Sequence, residues 1–150
     1  MNRSPKRIRL CVALLVCCLV FIWGNSLLPG EISGAISDFV QDTLAAIFEQ
    51  GAPKPDNGGF LLRKMAHFTE FTVLGLCLGW LFGMYGKGRL LPFLCGTAAA
   101  CVDETIQRFV PGRGPSVRDV CIDSSGVLLG VILLTLGHHY LCKKKHLEDN

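Results

Sequence analysis

The sequence predicts an all-α integral membrane bundle of four transmembrane helices, with one long extracytoplasmic loop that contains an interfacial helix. Three observations predict it. Half of the 150 residues are hydrophobic and only 18% are charged, giving a mean hydropathy of +0.41, wrong for a water-soluble domain of this length. Four apolar stretches are each long enough, at about 1.5 Å per residue, to cross about 30 Å of hydrocarbon. In three of them the ionisable residues gather at one end. The whole chain, 1–150, reads as a single domain, and its seventeen glycines follow no collagen-like or linker-like period.

The first helix is expected at about 8–28. An unbroken apolar run, Leu10 to Trp23, follows a basic head of Arg3, Lys6, Arg7 and Arg9. No small-x-small cleavage site follows, and Val16 precedes Cys17 where a lipoprotein signal would have a small residue, so the segment reads as a retained span. The next three helices are expected at about 64–85, 90–109 and 119–142. Orientation follows from lysine and arginine: four at the N-terminus, two at Lys87 and Arg89, and three at Lys143 to Lys145. Positive-inside bias puts these regions, and both termini, in the cytoplasm. The loop 29–62 carries Glu31, Asp38, Asp42, Glu49 and Asp56 and belongs outside. Within it Ile32, Ile36, Phe39, Val40, Leu44, Ile47 and Phe48 recur at helical spacing, as in a helix lying at the interface or a lid packed on the bundle. Gly51 to Gly59, with Pro53, Pro55 and Asn57, reads as a turn-rich connection.

Small residues recur every fourth position: Gly75, Gly79 and Gly83 on the second span, Gly96 and Ala100 on the third, Gly126 and Gly130 on the fourth. In lipid this pattern lets backbones approach closely, either within the chain or across a homodimer. The eight cysteines contain no C-x-x-C and lie in or beside apolar runs, so they read as buried small hydrophobes. A net charge of +3, with the basic residues in short separated clusters, excludes nucleic acid as a partner.

The chemistry concentrates at the outer ends of spans two, three and four. Arg63, Lys64, His67 and Glu70 open the second; Asp103, Glu104, Gln107 and Arg108 close the third; Arg113 stands in its turn; Ser116, Arg118, Asp119 and Asp123 open the fourth. Steps of three and four residues put Arg63, His67 and Glu70 on one face of the second span and Asp119 with Asp123 on one face of the fourth, and recur among Asp103, Glu104, Gln107 and Arg108. Antiparallel connectivity then brings all three to one side of the membrane. Ionisable groups at membrane depth are costly, about 2.5–3.5 kcal/mol at a helix centre, and mark bundle interiors and functional cavities. The five cations and five acids also balance, as a purely ion-paired closure of the bundle would require.

In order along the chain stand Arg63-Lys64-x-x-His67-Phe68-x-Glu70-Phe71, Asp103-Glu104-x-x-Gln107 with Pro111-Gly112-Arg113, and Arg118-Asp119-x-x-x-Asp123-x-x-Gly126. Over about Arg63 to Gly130 this resembles the VanZ-like membrane proteins, named for an accessory teicoplanin-resistance protein of glycopeptide-resistant Gram-positive bacteria. The resemblance implies a multi-pass protein of the bacterial cell membrane and, for some members, antibiotic resistance toward lipid-bearing glycopeptides. It supplies no reaction. One departure is Asp123, where the family commonly has Asn, which adds a negative charge.

Three functions compete. In the first, the outer pocket binds a membrane lipid or a lipid-linked cell-envelope precursor, with Arg63, Arg113 and Arg118 holding the anionic group through charge-assisted hydrogen bonds. In the second, the chain is an intramembrane enzyme acting on a lipid head group, with His67 as general base and Glu70 or Glu104 as acid; the wider set of catalytic candidates is His67, Glu70, Asp103, Glu104, Gln107, Asp119 and Asp123. No cofactor and no metal is expected, because carboxylates already matched by arginines make a poor cage, although His67 with Glu70, Asp103, Asp119 or Asp123 has ligand chemistry. In the third, a proton-coupled transporter, a polar path would have to continue inward, and below Glu70 and Asp103 little beyond Thr72 and Thr97 is polar.

Overall fold

The computed structural model describes residues 4–48 and 58–148. Five helices make up the described chain, with no strand: α1 (Pro5–Ser26), α2 (Gly30–Phe48), α3 (Gly58–Met84), α4 (Leu90–Gln107) and α5 (Val117–Glu148). Three are long and apolar enough to cross a membrane: Pro5–Ser26, Gly59–Met84 and Val117–Lys144. The fourth expected span, α4, is not among them. It has 18 residues, and Asp103, Glu104 and Gln107 in its last two turns offset its apolar start.

α1 begins with Pro5, whose fixed φ and missing N–H suit a first helical turn. α2 fills the expected amphipathic stretch, but Ile32, Ile36, Phe39, Leu44 and Ile47 are exposed while Ser33 is buried. α3 starts about six residues earlier than expected: Gly58 and Gly59, read from sequence as the end of a turn, already lie in the helix. Their neighbours 49–57 are outside the described residues. Between α4 and α5, Pro111 and Gly112 form the centre of a tight turn closed by the Arg113 N–H to the Val110 carbonyl, at 3.1 Å. Gly112 has φ 73°, a backbone state that glycine adopts without cost. The Gly30 N–H donates to the Pro111 carbonyl at 3.0 Å, tying the start of α2 to that turn.

α3 is the hub, packed against α1, α2, α4 and α5. Its seam with α5 explains the repeated small residues. A Cβ on Gly75 would strike the Val127 backbone, one on Gly130 the Thr72 carbonyl, and one on Gly126 would lie 2.5 Å from the Phe68 carbonyl. Gly96 on α4 makes room for the Val127 side chain. These glycines are spent within the chain, where close backbone approach gains dispersion contacts that lipid does not drive by itself. Ile22, Phe71, Leu74, Ala100, Val127 and Val131 form the interior.

Most large apolar side chains lie outside that interior, among them Val20, Phe21, Leu94, Phe109 and Leu136. The cysteines follow the same logic and depart from expectation: only Cys11 and Cys77 are buried, Cys18 is half-buried, and Cys17, Cys95, Cys101, Cys121 and Cys142 are exposed. A bundle this thin leaves much of every helix's circumference facing outward. Apolar residues there meet hydrocarbon instead of a protein core.

Candidate functional site at the polar end of the bundle

The start of α3, the end of α4, the α4–α5 turn and the start of α5 meet around a cavity of about 160 Å³. Its lining includes Arg63, Lys64, His67, Glu104, Gln107, Arg113, Asp119 and Asp123, with Phe60 and Gly112. Residues more than sixty positions apart in sequence, from Phe60 to Asp123, therefore share one site. Asp103 (0% exposed) lies fully buried, and His67, Glu104, Gln107 and Asp123 are also buried.

The cations are partly committed. Lys64 forms an ion pair with Asp119, and the Phe60 ring lies 5.1 Å from the Lys64 ammonium and 5.9 Å from the Arg63 guanidinium carbon, close enough for cation–π attraction. Arg113 donates through Nη2 to the Asn25 carbonyl at 3.3 Å. Its buried Nε has no partner. Burial, and next the nearby Arg63 guanidinium, pull the Arg113 pKa below its ordinary value, while Asp103, Glu104 and Glu70 oppose that pull.

The acids divide into fastened and unfastened groups. Glu104 accepts the Ser116 N–H at 2.7 Å, and the Ser116 carbonyl accepts from Asp119 N–H and Val120 N–H. One carboxylate on α4 thus anchors the residue that opens α5. Glu70 accepts from the Asn25 amide at 3.1 Å and stands 3.7 Å from His67 Nδ1. Asp103 Oδ2 accepts from Gln107 Nε2 at 2.8 Å, and Gln107 reaches Ser26 Oγ at 3.4 Å. Asp103 Oδ1 is buried with no partner.

Of the ten residues given candidate binding or catalytic roles from sequence, the structure brings nine together and separates one; Arg108, read with the same polar clusters, is likewise exposed and outside the lining. Arg63, His67, Gln107, Arg113, Glu104, Asp119 and Asp123 line the cavity, and Glu70 and Asp103 are linked to that network. Arg118 is exposed and outside the lining. It sits one position before Asp119, so the roughly 100° step of a helix turns it away. Reading sequence clusters as wholes missed this, and it also missed α1: Asn25 and Ser26, a polar pair at the end of an apolar span, join the network on the same side as the other clusters. Phe60 was missed because its segment was read as loop.

A model of the VanZ/LLP1 family matches residues 11–138, most of the chain and all of the elements that build this cavity. The chain belongs to the VanZ/LLP1 family. No curated protein and no solved structure matches it.

Proposed function

We propose that this VanZ/LLP1 protein binds the anionic head group of a membrane lipid or lipid-linked envelope precursor in the polar cavity. The cavity faces outward, with both termini in the cytoplasm, α4 crossing as a fourth span and α2 lying along the interface. The observation that carries the reading is the lining itself: Arg63, Lys64 and Arg113 converge on a cavity of about 160 Å³, and Arg113 keeps a buried donor without a partner. Guanidinium groups hold phosphate oxygens through paired, charge-assisted hydrogen bonds. Asp119, already paired with Lys64, sets the position of that ammonium rather than opposing the ligand. The exposed apolar residues of α2 fit an interfacial setting beside the cavity mouth.

Purified protein in phosphatidylcholine nanodiscs, titrated with phosphatidylglycerol and with undecaprenyl phosphate, tests this. Saturable binding that falls in Arg113→Ala and persists in Arg118→Ala supports the reading; equal affinity in all three proteins overturns it. The link to drug resistance is tested separately, as teicoplanin sensitivity of a Gram-positive host at matched membrane levels of wild type and Arg113→Ala.

Chemistry on the head group is a second reading, favoured by the contact between His67 and Glu70 at the cavity. An enzyme of this kind loses turnover in His67→Ala while binding is kept.

A further inference from the structure

We propose that His67, Asp103 and Asp123 form a binding site for one divalent transition-metal ion, with Zn²⁺ the preferred occupant. The proposal does not rest on the head-group reading.

The three side chains come from three helices, α3, α4 and α5, and each offers a ligand atom, all within 4.8 Å of one another. An equilateral triangle of that side has its centre about 2.8 Å from each corner, against zinc bonds of about 2.0–2.2 Å to imidazole and carboxylate. Small side-chain rotations close that difference. One imidazole with two carboxylates is a three-ligand set that leaves a fourth zinc position open. Imidazole directs the choice toward zinc and away from magnesium or calcium, which take oxygen ligands.

The second observation is electrostatic. Asp103 is 0% exposed and Asp123 2%, and two buried carboxylates without an ion-pair partner are costly in any low-dielectric setting. Among the described residues no lysine or arginine forms an ion pair with either: Lys64 is taken by Asp119, and the Arg113 hydrogen bond goes to the Asn25 carbonyl. Asp103 Oδ1 accepts nothing, whereas Oδ2 is held by Gln107. A carboxylate with one oxygen fixed by an amide and the other free is arranged as a ligand, since such outer hydrogen bonds orient the donor atom. The expectation of no metal assumed that every acid had a matching arginine; the packing leaves these two without one. The cavity lining includes His67 and Asp123, so an ion there is reachable from the cavity.

The test uses the metal alone. Full-length protein in detergent, stripped with chelator and dialysed, is titrated with Zn²⁺, Mn²⁺ and Mg²⁺ by calorimetry and read by elemental analysis, and Co²⁺ is followed by visible absorption for nitrogen ligation. The expected result is one Zn²⁺ per chain, bound at least about 100-fold more tightly than Mg²⁺. Asp123→Asn and His67→Gln each lower affinity at least about 100-fold, and Gln107→Leu lowers it roughly 10–100-fold. Circular dichroism and gel filtration confirm that each variant is folded, and protection of the wild type from heat by Zn²⁺ gives a readout that needs no variant. Absence of stoichiometric Zn²⁺ binding by the folded wild type overturns the proposal, as does unchanged affinity in folded Asp123→Asn and His67→Gln. Because no lipid is present, a negative result here leaves the head-group titration to stand or fall by itself.

Discussion

The two ends of this bundle hold cavities of opposite kinds. At the polar end about 160 Å³ is surrounded by three cations and three acids; toward the other end a mostly apolar groove of about 730 Å³ runs past Leu76, Trp80, Pro92, Val131 and Leu134, with Lys87, Arg89 and His138 also in its lining. The larger one is the less informative. An apolar groove on a membrane protein meets acyl chains that discriminate weakly among apolar walls, so its volume specifies little. Buried charges must be satisfied by particular partners at particular distances, and the small polar cavity is where selection between ligands can occur. Size measures capacity, while unmet hydrogen-bonding and charge measure specificity.

Substitutions can break this comparison. The largest effect is expected at the seam that holds both ends: Gly130→Leu and Gly75→Leu, which drive side chains into the facing backbone, lower stability by about 3 kcal/mol or prevent folding. Gly137→Leu, with nothing near its Cβ position, is tolerated. Thermal unfolding in detergent separates the three. Next, Arg113→Ala reduces anionic head-group affinity by about 10- to 100-fold, the worth of roughly 1.5–3 kcal/mol for hydrogen bonds to a charged group, while Trp80→Ala in the apolar groove leaves that affinity unchanged. Equal losses in the two would erase the distinction between the ends.

Smaller effects sharpen it. Glu104→Gln retains an acceptor for the Ser116 N–H but removes its charge, and the expected cost is about 1 kcal/mol in the same unfolding assay. Arg118→Ala, on the exposed side of α5, stays within about 0.5 kcal/mol in stability and binds head groups like wild type. A strong defect in Arg118→Ala would mean that the functional surface extends beyond the cavity.

Much of this was legible in the sequence, and the legible part is local. Hydropathy and length marked the apolar helices, because a segment's cost of sitting in hydrocarbon depends on its own side chains. Four-residue spacing of Gly75 with Gly79, and of Gly126 with Gly130, marked faces capable of close approach. Chain reversal between successive helices put His67, Asp103 and Asp123 at one end. The small-residue pattern could not say whether those faces meet each other or another molecule. The earlier start of α3 was hidden because a glycine pair carries a turn signal that the helix overrides.

What only the tertiary structure decided is which faces meet and which polar atoms are left over. It turned Arg118 out and brought Asn25 and Ser26 in, docked Gly30 on the Pro111–Gly112 turn, paired Lys64 with Asp119, and left Asp103 and Asp123 buried with no ion pair to a lysine or arginine among the described residues. The physical reason is range. Periodicity fixes the direction of each side chain about its own helix axis, whereas charge compensation depends on distances between helices, set by how closely the glycine seams let those axes approach.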